Sequence, residues 1–523
     1  MRSMIRIISL MLVCSAIGWA QSDRGSITGT VTDSTGGIVP DAAVTATNTA
    51  TNIVSRTATN ESGVYVIPAL LPGMYKLRVE KNGFKAAEQA QVILAASSTV
   101  RVDVGLQIGE VSESVEVSAS LAQLQTDSAK ISTSISNKMV DELPLVVGGA
   151  MRSPFDLALA SPEGKQVAGT GPGTDEAFAL GGGQVASWGV TLDGVSAGTG
   201  RFASVQWASV NTPSLDAITE FTVDTNGYKA EYGRASGGIM SFTSKSGTNE
   251  LHGTVYEFVR NNAFDARRFF EAQKAVYKQH DFGWSVGGPV WLPKLYNGKN
   301  KTFFFSSMEW FRNRVGATST TDSVPTPEMY RGDFSNWVDA NGNKLTIYDP
   351  RTTRPNPNGT GFIRDPFQGN IIPQDRFSSF AKSVISASNT VGVPNNGAAP
   401  GSSAYVRNNF INNQGTVIDP WTKFSVKIDH AFTDNSKVNF LYNYGKHDGP
   451  QAGAGGFPGL PGILNSTRTG RQKSDVYRGA YTWVIKPTVV NNAFGGINFW
   501  KEKNASPNAT GGWKSKVCLI NAF

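Results

Sequence analysis

The chain has 523 residues and a formal net charge of +7, and 40% of its residues are hydrophobic, with 10% aromatic. The positive charge is spread without a basic run, which gives no support for nucleic-acid binding. Beyond the N-terminus no continuous apolar run is long enough to span a membrane as a helix, whereas the 56 glycines indicate many turns between strands.

Residues 1–20 have the pattern of a secretory signal peptide. Two arginines precede an apolar run from Ile7 to Ile17, and Gly18 and Ala20 are small residues at the two positions that a signal peptidase reads. A membrane-spanning helix would need about 20 apolar residues. The sequence therefore predicts export with a cleaved signal, which together with the aromatic content favours a barrel over a helical membrane protein.

Residues 21–108 predict a small antiparallel β-sandwich. About seven short strands alternate with turn signals such as Ser34-Thr35-Gly36-Gly37. The order G-x-V-x-D, P-x-A-x-V, T-N-E-S-G-x-Y, L-x-P-G-x-Y and G-F resembles the carboxypeptidase regulatory-like domain. The resemblance implies a transthyretin-like or carbohydrate-binding-like fold. Tyr65, Tyr75 and Phe84 are better explained as core aromatics than as sugar-binding platforms.

The linker of residues 109–120 is acidic and rich in valine. Its run Glu113-Ser114-Val115-Glu116-Val117, called the coupling strip below, resembles the TonB box of TonB-dependent outer-membrane receptors. In those receptors this segment pairs by strand addition with the periplasmic energy-transducing protein, which requires an accessible edge strand. A last strand of the sandwich or a charged linker would give the same pattern. On the coupling interpretation we expect the strip to be extended, mobile and accessible.

Residues 121–247 resemble the plug domain of the same receptors. A polar strand and a short helix that stops before Pro144 are predicted first. An Asp193-Gly194 hairpin follows, because this dipeptide suits a tight turn with positive φ, and then the I-x-E-F strand around Phe221. The order of these elements matches the plug.

A glycine-rich seam within Glu220–Phe270 separates these short strands from longer, aromatic-rich strands, as at a plug-to-barrel junction. Asp193, Glu220 and Glu231 lie in the plug region before or within this seam. We expect them to serve in turns and in plug-to-barrel ion pairs rather than in a catalytic carboxylate site.

From residue 248 to residue 523 the sequence predicts the beginning of an outer-membrane β-barrel. Apolar residues alternate with polar ones along each strand, which places one set against lipid and the other in the lumen. The predicted lumen set includes Lys423, Ser425, Lys427 and Asp429, and the predicted lipid set includes Phe424, Val426, Ile428, Val438, Phe440, Tyr442 and Tyr444. Cysteines in the lumen set are expected to react with membrane-impermeant thiol reagents.

A second predicted hairpin joins strands Asp475–Ile485 and Val489–Phe499 at Lys486-Pro487. The aromatic residues Trp483, Phe499 and Trp500 near the strand ends suit an interfacial girdle. The alternative, a large soluble sandwich with buried aromatics, disagrees with the export signal and with lysines on a single face.

Residues 316–420 are dense in Pro, Gly and Asn and predict a long loop, far beyond ordinary connection lengths. In a barrel this loop lies outside the bilayer. Its Gly369-Asn370-Ile371-Ile372-Pro373 run resembles the G-N-x-I-P element of Oar-like TonB-dependent receptors, where it falls in a large extracellular loop.

The number of strands predicts an incomplete barrel. Receptors of this family close about 22 strands, whereas the residues after Glu250, less the long loop, suffice for about eight to twelve. We therefore expect a fragment that does not transport by itself.

No catalytic, metal or cofactor site is indicated. The four histidines stand alone, and the sequence has neither a G-x-S-x-G elbow nor a phosphate-binding P-loop. Cys14 lies in the predicted signal, so the mature chain keeps only Cys518 and can form no intrachain disulfide.

The fold expected is all-β: an N-terminal sandwich, a small α+β plug and a partial transmembrane antiparallel barrel. The resemblance implies a non-enzymatic, TonB-dependent receptor in the outer membrane of a Gram-negative-type bacterium. Its partners would be a TonB-type periplasmic protein, outer-membrane lipid and an unidentified external solute, which could be a siderophore, an oligosaccharide or a peptide. A non-transporting adhesion or carbohydrate-binding surface protein and a secreted hydrolase are the alternatives.

Overall fold

A computed structural model describes residues 24–109, 114–116, 131–136, 152–166, 178–185, 187–198, 208–228, 232–233, 235–267, 274, 276–316, 318–386, 393–414, 417–451, 468–486 and 488–505. The expected signal peptide, the short helix before Pro144, Glu231, and Glu113 and Val117 of the coupling strip lie outside these residues. Among the helices within them, none combines the length and the apolar character needed to cross a membrane.

Nine strands between Gly25 and Glu116 build the two sheets of the sandwich. They are β1 (Gly25–Asp33), β2 (Ala43–Asn48), β3 (Val54–Ala58), β4 (Val64–Leu70), β5 (Gly73–Glu80), β6 (Ala86–Leu94), β7 (Thr99–Arg101), β8 (Val104–Leu106) and β9 (Ser114–Glu116). One sheet has the order β4-β1-β7, with β8 also paired to β1, and the other has the order β3-β2-β5-β6-β9. Alternate residues of β1 are buried, as a strand with one core-facing side requires.

The expected aromatic core of the sandwich is confirmed. Tyr65 and Tyr75 are only 1% and 4% exposed, and Phe84 packs against the same core. Each buried hydroxyl has an acceptor: Tyr65 donates to the carbonyl of Val102 at 2.6 Å, and Tyr75 donates to that of Leu71 at 2.8 Å. Burial raises the pKa of Tyr75 to about 12. All three rings therefore belong to the core, and the buried rings of Tyr65 and Tyr75 are not available to a sugar.

The region that the sequence predicts to be a plug, called the plug below, contains one five-stranded sheet and a separate pair of strands. Its strands are β10 (Ile131–Ser136), β11 (Gly164–Gln166), β12 (Phe178–Leu180), β13 (Gly189–Leu192), β14 (Val195–Ser196), β15 (Ile218–Asn226) and β16 (Ile239–Ser244), with helix α1 (Ala208–Asn211) and 3-10 turns at Pro154–Ala160 and Leu215–Ala217. The sheet order is β10-β15-β16-β13-β14, while β11 and β12 pair separately. The predicted hairpin is confirmed, since Asp193 and Gly194 both have positive φ, 46° and 77°.

The remaining strands lie between His252 and Ala505. They are β17 (His252–Asn261), β18 (Tyr277–Pro289), β19 (Trp291–Leu292), β20 (Tyr296–Asn297), β21 (Thr302–Val315), β22 (Thr318–Asp322), β23 (Arg354–Pro355), β24 (Phe362–Ile363), β25 (Phe410–Gln414), β26 (Val417–Thr433), β27 (Ser436–Gln451), β28 (Arg468–Lys486) and β29 (Val489–Ala505). Seven of them form one antiparallel sheet of order β17-β18-β21-β26-β27-β28-β29, called the wall sheet below.

The two faces of the wall sheet carry the residues that strand alternation predicts. In β26, Lys423, Ser425, Lys427 and Asp429 are between 1% and 6% exposed on the inner face, while Ile428 on the outer face is 43% exposed. The outer face continues through Phe440, Tyr477, Ile497 and Phe499. An apolar outer band of this kind is what a lipid-facing barrel wall presents.

One member of the predicted aromatic girdle is corrected. Trp500 pairs in register with Ser474, which is fully buried on the inner face. Phe499 and Trp500 are neighbours in one strand, so their side chains point to opposite faces. Trp483 and Phe499 are exposed on the outer face, and Trp500 lies on the inner face.

The two ends of the wall sheet differ in their connections. Short turns join β26 to β27 at Asp434 and Asn435, and β28 to β29 after Lys486. The sandwich contacts this end, which is called the short-turn end below. The long connections leave the opposite end.

The long loop is more ordered than its composition suggested. Strands β22 and β25 pair with each other and extend the β21 and β26 hairpin beyond the wall sheet. Between them lie helices α2 (Pro327–Tyr330), α3 (Ser379–Ser386) and α4 (Ser403–Val406), 3-10 turns at Pro350–Thr352, Gln368–Asn370 and Gln374–Arg376, and the β23-β24 hairpin. β26 already begins at Val417, three residues before the predicted end of the loop.

Candidate functional site: the plug against the wall sheet

The plug sheet lies against the inner face of the wall sheet. Leu441 of β27 packs into the apolar core of the plug, and α1 contacts β27 and β28. Many other contacts across this boundary are polar, because most buried inner positions of the wall strands carry polar or charged side chains. A boundary of hydrogen bonds and ion pairs holds the plug without fusing it to the wall through one continuous apolar core.

Arg478 of β28 binds the plug hairpin, which is the β13–β14 turn at Asp193 and Gly194, from the wall side. Its guanidinium donates to the carbonyl oxygens of Leu192 at 2.7 Å, of Val195, and of Ser196 at 3.2 Å. The Arg478 side chain is only 4% exposed. A planar guanidinium can serve several carbonyls of a tight turn at once, which fixes the turn against the wall.

Asp193 forms the second contact of the same hairpin. It lies 3.4 Å from the ammonium of Lys427 on the wall and accepts hydrogen bonds from the main-chain N–H of Ser244 at 2.8 Å and from its hydroxyl at 2.5 Å. Lys427 itself donates to the Ser244 carbonyl at 3.2 Å. Asp193 thus has the two roles expected for it, in the turn and in a plug-to-barrel ion pair.

Arg152 makes a third contact that the sequence did not indicate. Its guanidinium lies 2.8 Å from Asp216 within the plug and 3.2 Å from Asp281 on β18. It also lies over the rings of Tyr256 and Phe258 on β17, at 4.7 and 4.2 Å. A buried arginine between two carboxylates links the plug to the wall sheet. Separation of the two would leave the charge of Asp281 without its arginine partner.

Close backbone approach completes the boundary. A Cβ on Gly445 of β27 would lie 1.9 Å from the carbonyl oxygen of Val210 in α1, so only glycine fits there. Next to it, the side-chain amide of Asn443 donates to the carbonyl of Asn211 at 2.9 Å, and Ser474 donates to the Asn211 side chain at 2.5 Å.

The sandwich is joined to both other parts at the short-turn end. Glu220 of β15 accepts the main-chain N–H of Ala96 at 2.7 Å and the hydroxyl of Ser134 at 2.6 Å. Arg56 pairs with Asp434 in the β26-β27 turn. In these contacts Glu220 joins the plug to the sandwich, whereas the sequence predicted a role in a turn or in a plug-to-barrel ion pair.

The structure places the central residues of the coupling strip on the sandwich. Ser114, Val115 and Glu116 form β9, which runs parallel to β6 in register with Ala86, Ala87 and Glu88. The register sets Glu116 beside Glu88. Hydrogen bonds from Lys76 and Arg78 hold the pKa of Glu88 below its usual value. These three residues are thus extended, as expected, but they form a paired strand and not a free one.

The expected labelling of the lumen residues needs correction. The inner face of β26 is assigned to the predicted residues, yet the plug covers it and leaves Lys423 and Lys427 only 1% and 2% exposed. Cysteines at these positions would be shielded from water-soluble reagents by the plug. The sequence predicts which face a residue lies on, whereas its accessibility depends on what packs against that face.

No metal site is found in the part of the chain that the structure describes, where no three His, Cys, Asp or Glu residues are grouped for coordination. Several polar groups of the boundary are engaged with one another across the plug and the wall sheet. Their arrangement suits reversible holding of the plug.

Two family models match the chain. Residues 243–521 match the outer membrane beta barrel domain, and residues 26–107 match the carboxypeptidase regulatory-like domain. The first match includes the end of β16 and all of the wall sheet, and the second coincides with strands β1 to β8.

Among characterised proteins, the chain is similar to the TonB-dependent transporter Oar of Myxococcus xanthus, with 28% identity over 304 residues. The match covers 55% of this chain and 27% of the transporter, so it spans about a quarter of that relative's length. Solved structures with a similar arrangement include a ferric enterobactin receptor mutant from Pseudomonas aeruginosa, at 10% identity and a TM-score of 0.38, covering 71% of this chain and 40% of that one. The siderophore receptor PirA from Acinetobacter baumannii has 12% identity and a TM-score of 0.34, covering 73% and 50%.

Proposed function

We propose, from the premise that the chain belongs to the outer membrane beta barrel domain family, that it acts as a TonB-dependent receptor in the outer membrane. In this proposal a periplasmic TonB-type protein pulls on the plug, and an external solute then passes along the wall sheet. The work is transport and needs no covalent chemistry. The solute stays unassigned, with siderophores, oligosaccharides and peptides as the candidate classes.

The observation that carries the proposal is the polar boundary between plug and wall. Arg478, Lys427 and Arg152 hold the plug through hydrogen bonds and ion pairs. Hydrogen bonds lose most of their energy after a small displacement, and water can satisfy the separated groups. A plug held in this way can be displaced and reseated, which transport requires and adhesion does not.

The coupling strip is proposed as the point where the partner engages. Its residues are Glu113, Ser114, Val115, Glu116 and Val117. β9 is an edge strand, since β6 is its sole neighbour in the described sheet order. An edge strand offers main-chain groups for strand addition by another protein.

The proposal is tested by crosslinking from the strip in the intact outer membrane. In a Cys518→Ser background, Ser114→Cys should form a disulfide with a cysteine placed in the periplasmic domain of the TonB-type protein. Ser62→Cys, which replaces an exposed serine in a sandwich turn, is the matched control and should not react. Equal crosslinking from both positions would contradict engagement at the strip.

Main-chain pairing is tested separately with two substitutions at one position. Val115→Pro removes an N–H donor and should abolish the crosslink from Ser114→Cys, whereas Val115→Ala keeps the donor and should preserve it. If proline and alanine behave alike, the strip does not bind its partner by strand addition.

A further inference from the structure

The connection between β18 and β21 carries an apolar hairpin at the short-turn end of the wall sheet. In it β19 and β20 pair antiparallel, and residues 291–297 are called the tip hairpin below. The side chains of Trp291 and Leu295 are 67% and 86% exposed, and those of Leu292 and Tyr296 are exposed as well. Contiguous apolar surface of this kind marks a site of interaction.

The tip hairpin exposes apolar side chains on both of its faces. Directly paired residues of an antiparallel hairpin share a face, so Leu292 and Tyr296 lie on one side. Trp291, the neighbour of Leu292 along the strand, lies on the other side. A hairpin that only covered the wall sheet would turn a polar face to water. The wall sheet is therefore not the partner of all this apolar surface.

The tip hairpin is attached to the outer face of the wall sheet. The hydroxyl groups of Tyr296 and Thr302 are hydrogen-bonded to each other, and the Thr302 hydroxyl lies 2.6 Å from Nδ1 of His430. Thr302 pairs with His430 across β21 and β26, and His430 is two residues from Ile428 on the outer face. The His430 ring in turn meets the exposed ring of Phe432 edge-on. The tip hairpin thus continues the outer apolar band at the short-turn end.

Three lysines add positive charge to the same connection. Lys294 lies in the turn of the tip hairpin, and Lys299 and Lys301 follow it before β21. All three are exposed, and no acidic residue lies between Asp281 and Glu309 in the sequence. Apolar residues flanked by lysines are typical of segments that lie in the interface of an anionic bilayer. The apolar side chains enter the boundary between headgroups and acyl chains, and the lysines attract the headgroups.

We propose that the tip hairpin is a lipid anchor, which inserts into the bilayer leaflet at the short-turn end and binds anionic phospholipid headgroups. Trp291 and Leu295 enter the boundary between headgroups and acyl chains, while Lys294, Lys299 and Lys301 lie at the headgroup phosphates. Two observations favour lipid as the occupant: the hairpin is continuous with the apolar outer band of the wall sheet, and its charge complements an anionic surface. The inference rests on the outer-membrane location in the proposed function and does not depend on transport.

Insertion is tested with an environment-sensitive fluorophore on single cysteines of the full chain in phospholipid nanodiscs, with Cys14 and Cys518 replaced by serine. A label on Leu295→Cys should emit at a shorter wavelength and be quenched by lipids that carry a nitroxide on the acyl chain. Ile428→Cys, on the outer face of the wall sheet, is the positive control for the bilayer. Ile38→Cys, at an exposed apolar position of the sandwich, should be quenched by aqueous iodide and not by the lipid.

Lipid quenching at both Leu295 and Ile428 supports the anchor. Lipid quenching at Ile428 alone, with iodide quenching at Leu295, would overturn the anchor and leave the membrane location intact. A Leu295 label that neither reagent reaches would mean that protein covers the hairpin, which also overturns the proposal. Absence of lipid quenching at both positions would contradict the outer-membrane location as well.

The headgroup contact is tested through the lipid composition. Discs that contain phosphatidylglycerol should increase lipid quenching at Leu295 relative to discs of phosphatidylcholine alone. Lys294→Gln, Lys299→Gln and Lys301→Gln together should abolish this increase, whereas arginine at the same three positions keeps the charge and should retain it. No increase in the original chain, or an increase that persists in the glutamine variant, would overturn headgroup binding by these lysines.

Discussion

At the scale of single residues, a glycine decides how closely the plug approaches the wall. Gly445→Ala should force α1 away from β27, since the new Cβ would lie 1.9 Å from the carbonyl oxygen of Val210. Overpacking of this kind costs about 1–3 kcal/mol. The expected result is a lower urea midpoint for exchange of the α1 amides.

The matched control for that change is Gly495→Ala in β29, where nothing lies within 4 Å of the added Cβ. Its effect should stay within about 0.5 kcal/mol, as for most surface substitutions. Equal destabilisation by the two alanines would mean that glycine is required by strand twist and not by the contact with α1.

The long loop shows what a residue pattern can and cannot predict. The G-N-x-I-P run marked Asn370 as part of a recognisable element, but not its task. In the structure its side chain donates to the carbonyls of Phe334 and Leu345 at 2.8 and 2.9 Å and accepts the N–H of Ile347 at 2.7 Å. Its partners are 23 to 36 residues away in sequence, so no local pattern could identify them.

At the scale of elements, the loop should loosen in acid. The hydrogen bonds from Arg376 hold the pKa of Asp349 below its usual value, and Arg354 does the same for Asp365. A carboxyl group with a depressed pKa stabilises the fold above its unfolded pKa of about 3.9, and this stability is lost as the pH falls through the folded pKa. Hydrogen exchange of residues 345–376 should accelerate between about pH 4 and pH 2.

Two comparisons test whether the acid response comes from the Asp349 and Asp365 ion pairs. Strands β22 and β25 are joined by main-chain pairing and should respond less over the same range. Asp349→Asn should reduce the acid response and leave the remainder to the Asp365 pair. An unchanged response would assign the loosening to other groups.

Pairing over long sequence distances also limited the prediction of elements. Alternation in Lys423–Asp429 was strong enough to assign the inner face of β26, and a two-residue turn fixed its hairpin with β27. β22 and β25 have five residues each and consist largely of Thr, Ser and Asn. They lie about 90 residues apart, so the sequence predicted a loop in their place. The coupling strip was ambiguous for a related reason, since a valine-rich acidic strand looks the same whether it pairs with β6 or with another protein.

At the scale of the whole molecule, the plug should separate from the wall before the wall sheet unfolds. Arg478→Ala leaves three carbonyls of the plug hairpin without their donor, and such orphaned acceptors cost about 3 kcal/mol or more together. Exchange of residues 189–196 should therefore occur at lower urea than in the original chain, with the wall strands still protected.

Arg471→Ala on the same strand provides the comparison. Arg471 is 68% exposed and pairs with Asp448 on the outer side, where an ion pair contributes about 0–1 kcal/mol. It should leave the plug unaffected. Simultaneous loss of plug and wall in Arg478→Ala would show that the two are one cooperative unit.

The short pairing of β9 with β6 has a mechanical consequence. Segments of a chain under tension bear the same force in series, and the segment with the fewest bonds yields first. β9 is aligned with β6 over three residues, whereas β15 and β16 are aligned over six pairs inside the plug. A pull on Val115 should peel the strip from the sandwich before any strand of the plug is disturbed. The pairing of β9 with the sandwich would then set the smallest pulling force that is transmitted to the plug.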